Sequence, residues 1–237
     1  MSNLEIPVEV IGGRISVPSE TKGLLFDMDG VLIDTLTLDL NIVNKVIAKY
    51  VESPALISKE TIRENFALAI PEFFKELLKT VNVEITEKSL IQLIEEYEDI
   101  RRTSNFDVHA GIVEILQDAK QQEIKLAVVS NNSTEDIQKI LNECNLLNYF
   151  DSITGNDLEG IRSKPYPDMY LQSAKSLNIK PSTCIVIEDS LIGAQAGHSA
   201  GCFVVGVSTG ANSFDSLLNS EFVNNAYIDF SNIIEVK

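Results

Sequence analysis

The chain has 237 residues, enough to bury a sizeable core as one large domain or two modest ones. Its 35 acidic and 19 basic side chains leave a formal net charge of −16, which argues against nucleic acid or an anionic membrane surface as a main partner. A small anionic substrate stays compatible, because a metal ion and a few local cations can dominate the field of one pocket.

The opening segment, MSNLEIPVEV, has neither a basic region nor a long apolar run, and no stretch approaches transmembrane length. No secretion signal or membrane partner is expected, and the chain reads as cytoplasmic. In VEVIGGRISV, Val8 to Val17, alternating apolar residues flank a Gly12-Gly13 pair. That predicts a β-hairpin with a two-residue turn, serving as a sheet-edge addition or an oligomer contact. Residues 1–21 are read as an extension ahead of the main domain.

Gly23 to Phe26 is a short apolar run that stops at Asp27 and Asp29, with Gly30 beside them. It reads as a strand buried on both faces, although periodicity alone leaves a buried helix open. In open α/β sheets, ligands bind outside the carboxyl ends of the strands, where these acids would stand. Two carboxylates one residue apart can share a divalent cation, and Gly30 lets the backbone turn tightly after them. Taken alone, D-x-D-G is as readily a solvated turn. A calcium loop of the EF-hand kind fails, since Val31 holds the third acidic position and Leu38 the twelfth.

After Thr35 the pattern turns helical. Leu36, Leu40, Val43, Ile47 and Tyr50 share a face, and Pro54 ends the segment. Pro71 to Thr80 and Thr86 to Arg102 repeat the pattern through Phe73, Phe74, Leu77, Leu78 and then Leu90, Ile94, Tyr97. With no strand pattern between, residues 36–105 are expected to form an all-helical insertion.

From Gly111 helices and strands alternate. Helices are expected at Ile112–Ala119, after a Ser133 cap through Cys144, at Asp168–Leu177, and at Leu191–Ala200 before Gly201. Strands are expected at Ile124–Val129, Ser152–Thr154, Cys184–Ile187, Phe203–Val207 and near Ala226–Ile228. This order implies a parallel sheet wound by right-handed crossovers. Cys144, Cys184 and Cys202 lie far apart in apolar segments and read as buried free thiols.

Four polar clusters follow strands or their loops: Asp27/Asp29, Ser130/Asn131, Lys164 and Glu188/Asp189. Parallel strands can deliver all four to one sheet edge. So many carboxylates repel one another and call for a counter-ion, for which Mg²⁺ is the simplest choice. Lys164 and the Ser130 hydroxyl suit phosphoryl oxygens, and a carboxylate beside a metal can act as a covalent nucleophile. Singly, these residues read as a surface lysine, a capping serine and an acidic first helical turn. Pro165 and Pro167 restrict the backbone around Lys164.

Together, FDMDGVLIDT, VVSNN, SKPYPDMY and VIEDSLIGAQAGHSAGC resemble the four motifs of the haloacid dehalogenase superfamily, in its helical-cap subgroup. The resemblance covers nearly the whole chain from Lys22 onward. It implies an α/β fold, a doubly wound, Rossmann-like parallel sheet built from residues 22–35 and 106–237, with a helical cap of residues 36–105. It also implies a Mg²⁺-dependent phosphatase acting on a small phosphorylated metabolite, most simply a sugar phosphate. Asp27 would form an aspartyl-phosphate, and Asp29 would serve as acid and then base. Mg²⁺ would be held by Asp27, the main-chain oxygen of Asp29, and Asp189, with Glu188 as a direct or outer partner. Ser130 and Lys164 would neutralise the transferring group, with Asn131 and the amides after Asp27 as further contacts. The cap would close over the site and read the leaving group.

Departures narrow the subgroup. Dehalogenases lack an acid at the position of Asp29, and phosphonatases differ from DMDGV in their first motif. β-Phosphoglucomutases carry G-x-S-R in the cap, where this chain has LAIPEFF, with Ile70 and Pro71 in place of serine and arginine. Ala69 replaces the glycine of the cap-phosphatase pattern, and Asp39 stands where the mutase has a hinge histidine. Hydrolysis is therefore favoured over a sugar phosphomutase, although Arg63 could grip a second phosphate by another route. A non-catalytic phosphate-binding module is a further alternative, which the paired acids Asp27 and Asp29 disfavour. His198 reads as a packed structural residue and His109 as a loop residue.

Overall fold

The computed structural model describes residues 8–11, 15–50, 57–65 and 70–230. The expected Gly12-Gly13 turn, Pro54, Leu68 and Ala69 lie outside the described residues. The chain divides into two compact units, residues 1–33 with 107–237, and residues 34–106. Strands β1 (Val8–Ile11) and β2 (Ile15–Pro18) pair antiparallel, Ile11 opposite Ile15. They form a two-stranded sheet of their own, so the hairpin is not an added edge strand of the main sheet. Side chains make the links instead, the Ser16 N–H donating to the Tyr227 hydroxyl at 3.3 Å and Asn225 Nδ2 to the Ser16 carbonyl at 3.5 Å. Strand β3 (Gly23–Phe26) follows and is buried throughout.

The helical unit contains α1 (Thr35–Ile47), α2 (Lys59–Asn65), α3 (Ile70–Thr80) and α4 (Glu87–Thr103). Side-chain oxygens supply the orphan amides of the first turns, Asp34 for α1 at 3.0 Å and Thr86 for α4 at 3.1 Å. Periodicity misses α2, because Ile62 is its one buried residue and seven residues with one buried position show no repeat. Leu36, Val43, Ile47, Phe74, Leu77 and Leu90 meet in a single apolar cluster. The Phe74 ring sits edge-on to Tyr97, centroids 5.1 Å apart, an arrangement suited to ring quadrupoles. Inside that apolar face, α1 buries Asp39, which accepts from the Tyr97 hydroxyl at 2.9 Å and Arg101 Nε at 3.0 Å.

The other unit continues as α5 (Ile112–Gln121), β4 (Lys125–Val129), α6 (Thr134–Glu143), β5 (Ser152–Thr154) and α7 (Asp168–Ser176). Then come β6 (Cys184–Glu188), α8 (Leu191–Ser199), β7 (Phe203–Val207), α9 (Phe214–Leu218) and β8 (Asn225–Tyr227). Six parallel strands order as β5-β4-β3-β6-β7-β8. The chain builds outward from β3 on one side and then crosses to the other, so the winding reverses beside β3. Such a reversal opens a crevice at the carboxyl edge.

Both faces of the sheet are covered, which is why β3 shows no alternation. Leu25, Ala127, Val129 and Val186 pack with Met169 and Tyr170 of α7 and with Ala194 and Ala196 of α8. Leu24, Phe26, Leu126, Val128, Ile185 and Ile187 alternate with them and are equally buried, Phe26 lying edge-on to Phe150 at 6.2 Å. The short helix α9 escaped the sequence reading because Leu217 is its one buried residue. The expectation of buried free thiols holds for Cys184 and Cys202 and needs correction at Cys144. Cys144 is half-buried because it caps α6 where that helix runs out. Cys184 and Cys202 are buried and set side by side by the β6/β7 register, Ile185 opposite Phe203, and the Cys184 thiol donates to the Lys180 carbonyl at 3.4 Å.

Candidate active site

Asp27 continues the ladder one step beyond β3, its N–H donating to the Ile187 carbonyl at 3.0 Å. The chain then folds back sharply. Met28 O accepts from the N–H groups of Leu32 and Ile33, both at 3.0 Å, and Gly30 sits at φ 76°. That left-handed conformation suits glycine, and so does the space. A Cβ on Gly30 would stand 2.5 Å from Asp189 Oδ2 and 2.9 Å from the Cα of Gly210.

Asp189 follows β6 directly. Its Oδ2 accepts the Ala211 N–H at 2.5 Å, and its carbonyl accepts the Asn212 N–H at 3.0 Å. The loop after β7 therefore closes over this carboxylate. Its neighbour Glu188 is fully buried and takes four donors. Oε1 accepts from Lys164 Nζ at 2.6 Å and the Tyr170 hydroxyl at 2.7 Å. Oε2 accepts from the Ser190 hydroxyl at 2.9 Å and the Ser190 N–H at 3.3 Å. A carboxylate has about four lone-pair directions, and all of these are engaged.

Lys164 arrives from the loop between β5 and α7. Its ammonium spends three protons on Asp27 Oδ1 at 2.5 Å, Glu188 Oε1 at 2.6 Å and the Val129 carbonyl at 2.9 Å. It also faces the Tyr170 ring at 5.1 Å. Burial by itself would lower the lysine pKa, but Asp27 and Glu188 outweigh it and hold the group charged.

One ammonium among these carboxylates leaves an excess of negative charge. Burial pushes the Asp27 carboxyl well above the usual range against the pull of Lys164, with Glu188 and Asp189 adding to the rise. Asp189 is pushed up to about 7 by burial and then by Glu188. Asp27, Glu188 and Asp189 each present an oxygen within 4.8 Å of the others, and with Glu188 already engaged by four donors, Asp27 and Asp189 are the carboxylates that suit a hard divalent cation. Such an ion would offset the burial, and with it the repulsion, that raise both aspartates.

The remaining expected residues lie on the same edge. Ser130 is buried just past β4, and its Oγ accepts the Asn132 N–H at 3.2 Å. Asn131 Oδ1 accepts the Lys164 N–H at 3.2 Å and so ties two loops together. Asp29 Oδ2 accepts from Asn132 Nδ2 at 2.6 Å.

Three contributors went unread in the sequence: Asn132, Tyr170 and the loop Thr209–Asn212. The loop carried the same signal as the others, a polar, glycine-bearing stretch after an apolar strand. Asn132 is the second of twin asparagines. Tyr170 sits in the quoted third motif, where nothing in the pattern tells a packed ring from a hydrogen-bonding one.

Comparisons with known proteins bear on the family and the fold. A family model described as haloacid dehalogenase-like hydrolase matches residues 24–207. A β-phosphoglucomutase from Bacillus subtilis is 30% identical over 194 residues, 80% of this chain and 84% of that protein. A phosphorylated carbohydrates phosphatase from Thermotoga maritima is 26% identical over 180 residues, 76% of this chain and 82% of that protein. In the crystal structure of a HAD family hydrolase from Deinococcus radiodurans with bound phosphate and sodium, the alignment covers 88% of this chain and 91% of that one, at a TM-score of 0.76 and 22% identity, a likeness of fold. With its acids at the carboxyl edge of a doubly wound parallel sheet and a family match over most of its length, the chain belongs to the haloacid dehalogenase-like hydrolases.

Proposed function

We propose that the protein is a Mg²⁺-dependent phosphatase that hydrolyses a small phosphorylated metabolite, a sugar phosphate by preference, through an aspartyl-phosphate on Asp27. The observation that carries this reading is the buried Lys164 ammonium spanning Asp27 and Glu188, with Asp29 two residues beyond Asp27. An oxygen of Asp27 attacks phosphorus, the ester P–O bond breaks, and the Asp29 carboxyl gives its proton to the departing oxygen. Water then attacks the phosphorus of the aspartyl-phosphate, its proton passes to Asp29, and inorganic phosphate leaves with Asp27 restored.

Lys164, held in place by three acceptors, offsets charge on the transferring group through its field, and the proton it gives to Asp27 Oδ1 is the one that turns to a phosphoryl oxygen. Ser130 and Asn131 stand beside it as further phosphoryl contacts. Because its four lone-pair directions are taken, Glu188 serves as the anchor of Lys164, and the metal falls to Asp27, Asp189 and the main-chain oxygen of Asp29. When bound there, Mg²⁺ neutralises charge on the phosphoryl oxygens.

The likeness to a β-phosphoglucomutase makes a phosphomutase the second reading. Against it, α3 opens with exposed Ile70 and Pro71, which offer no cationic grip for a second phosphate. The deciding experiment is phosphate release from a panel of phosphorylated metabolites, with Mg²⁺ and with chelator, including β-glucose 1-phosphate with glucose 6-phosphate followed in parallel. Metal-dependent release from sugar phosphates supports the phosphatase. Isomerised product with little free phosphate would replace it by the mutase, and ligand binding without turnover by a binding module.

A further inference from the structure

We infer that Asn132 is a positioning residue for Asp29, holding the carboxyl that protonates the leaving group; the inference rests on the phosphatase reading above. The Nδ2 group of Asn132 donates to Asp29 Oδ2 at 2.6 Å, a short bond. An ionised carboxylate only accepts, so the amide must present its N–H₂ to it.

Asn132 itself is pinned on both sides of its Cα. Its N–H donates to Ser130 Oγ at 3.2 Å, and its carbonyl accepts the Asn156 N–H at 3.0 Å. The side chain of Asn156 also donates to the Asn131 carbonyl. The aim of the amide is therefore set by the end of β4 and the loop after β5, not by the Asp29 turn. Asp29 stands on the tight turn closed by Met28 O, so two independent supports converge on one carboxyl group.

The chemistry follows from which oxygen is held. With Oδ2 bound by the amide, Oδ1 is the atom that carries the proton. As the ester P–O bond breaks, that proton moves to the departing alkoxide oxygen and leaves Asp29 as the carboxylate, which the amide N–H stabilises. Without the amide the carboxyl loses the hold on Oδ2, and fewer encounters present the proton to the leaving oxygen.

A leaving-group test separates this role from general support. Asn132→Ala removes the side chain, and Asn132→Asp keeps its shape while replacing the donor by a like charge. Each is compared with the parent protein in single turnover, on a sugar phosphate, whose alkoxide needs a proton, and on p-nitrophenyl phosphate, whose phenolate does not. The first release of sugar should slow about 10- to 100-fold, at little change in KM, while nitrophenolate release stays within about threefold. Equal slowing of both substrates, or of neither, overturns the inference, and if one variant fails to fold the other decides. A parent protein that releases neither alcohol overturns the phosphatase reading and this inference with it. A parent burst whose losses ignore the leaving group overturns the inference alone.

Discussion

Gly210 and Asp189 are packed so closely that a Cβ on Gly210 would stand 1.9 Å from Asp189 Oδ2. The same oxygen accepts the Ala211 N–H, and Gly30 closes on it from the other side. The carboxylate thus lies in a slot that two glycines keep open. Gly210→Ala should push Asp189 off its position and cost about 1–3 kcal/mol of stability through overpacking. Activity should fall further than stability, because a proposed metal ligand is displaced. Urea unfolding beside phosphate release checks both parts, and a fully active variant would show that the slot tolerates a methyl group.

Lys164 faces two buried carboxylates, and its removal leaves them uncompensated. Lys164→Met should lose turnover and about 3–5 kcal/mol of stability, the cost of breaking a buried ion pair from one side. The measurement is the urea midpoint at unchanged slope.

Asp189→Asn should separate stability from metal binding. Asparagine removes one charge from a crowded, buried acidic cluster, so at pH 8 in chelator the variant should melt higher than the parent. Added Mg²⁺ should raise the parent's melting temperature and leave the variant's unchanged. Equal responses to Mg²⁺ would move the metal away from Asp189.

Asp39 should give a pH signature in the helical unit. Burial raises its pKa, and Arg101 and Tyr97 only partly offset it. A raised carboxyl binds its proton more tightly when folded than when unfolded. Its stabilising contribution is therefore present below the unfolded value of about 3.9 and is lost as pH rises through the folded value. Asp39→Asn cannot ionise, so its stability relative to the parent should improve as pH climbs from about 4 toward neutrality. Denaturation of both proteins across that range measures the difference, and a flat difference would show that Asp39 ionises at its ordinary pKa.

The parallel sheet is legible in the residues alone, because runs such as Gly23–Phe26 and Cys184–Ile187 are apolar without alternation, as strands covered on both faces must be. The residues also show which polar groups could meet, since parallel strands end on one edge and Asp27, Ser130 and Glu188-Asp189 each stand at the end of one. Helices with a sustained stripe, such as α3 and α4, were legible, whereas α2 and α9, with one buried residue each, were not.

The surroundings of each carboxylate depend on contacts between distant segments. Glu188 and Asp189 are adjacent letters of one acidic pair, yet Glu188 turns inward to four donors while Asp189 lies between two glycines. Their fates depend on Lys164, Tyr170 and Gly210, residues 18 to 24 positions away from one or the other. Asn132 and Asp29 are 103 positions apart, and neither residue carries a mark of the other. Hydrogen bonds between side chains on separate loops depend on the geometry of closed chain segments, which no local pattern of residue types encodes.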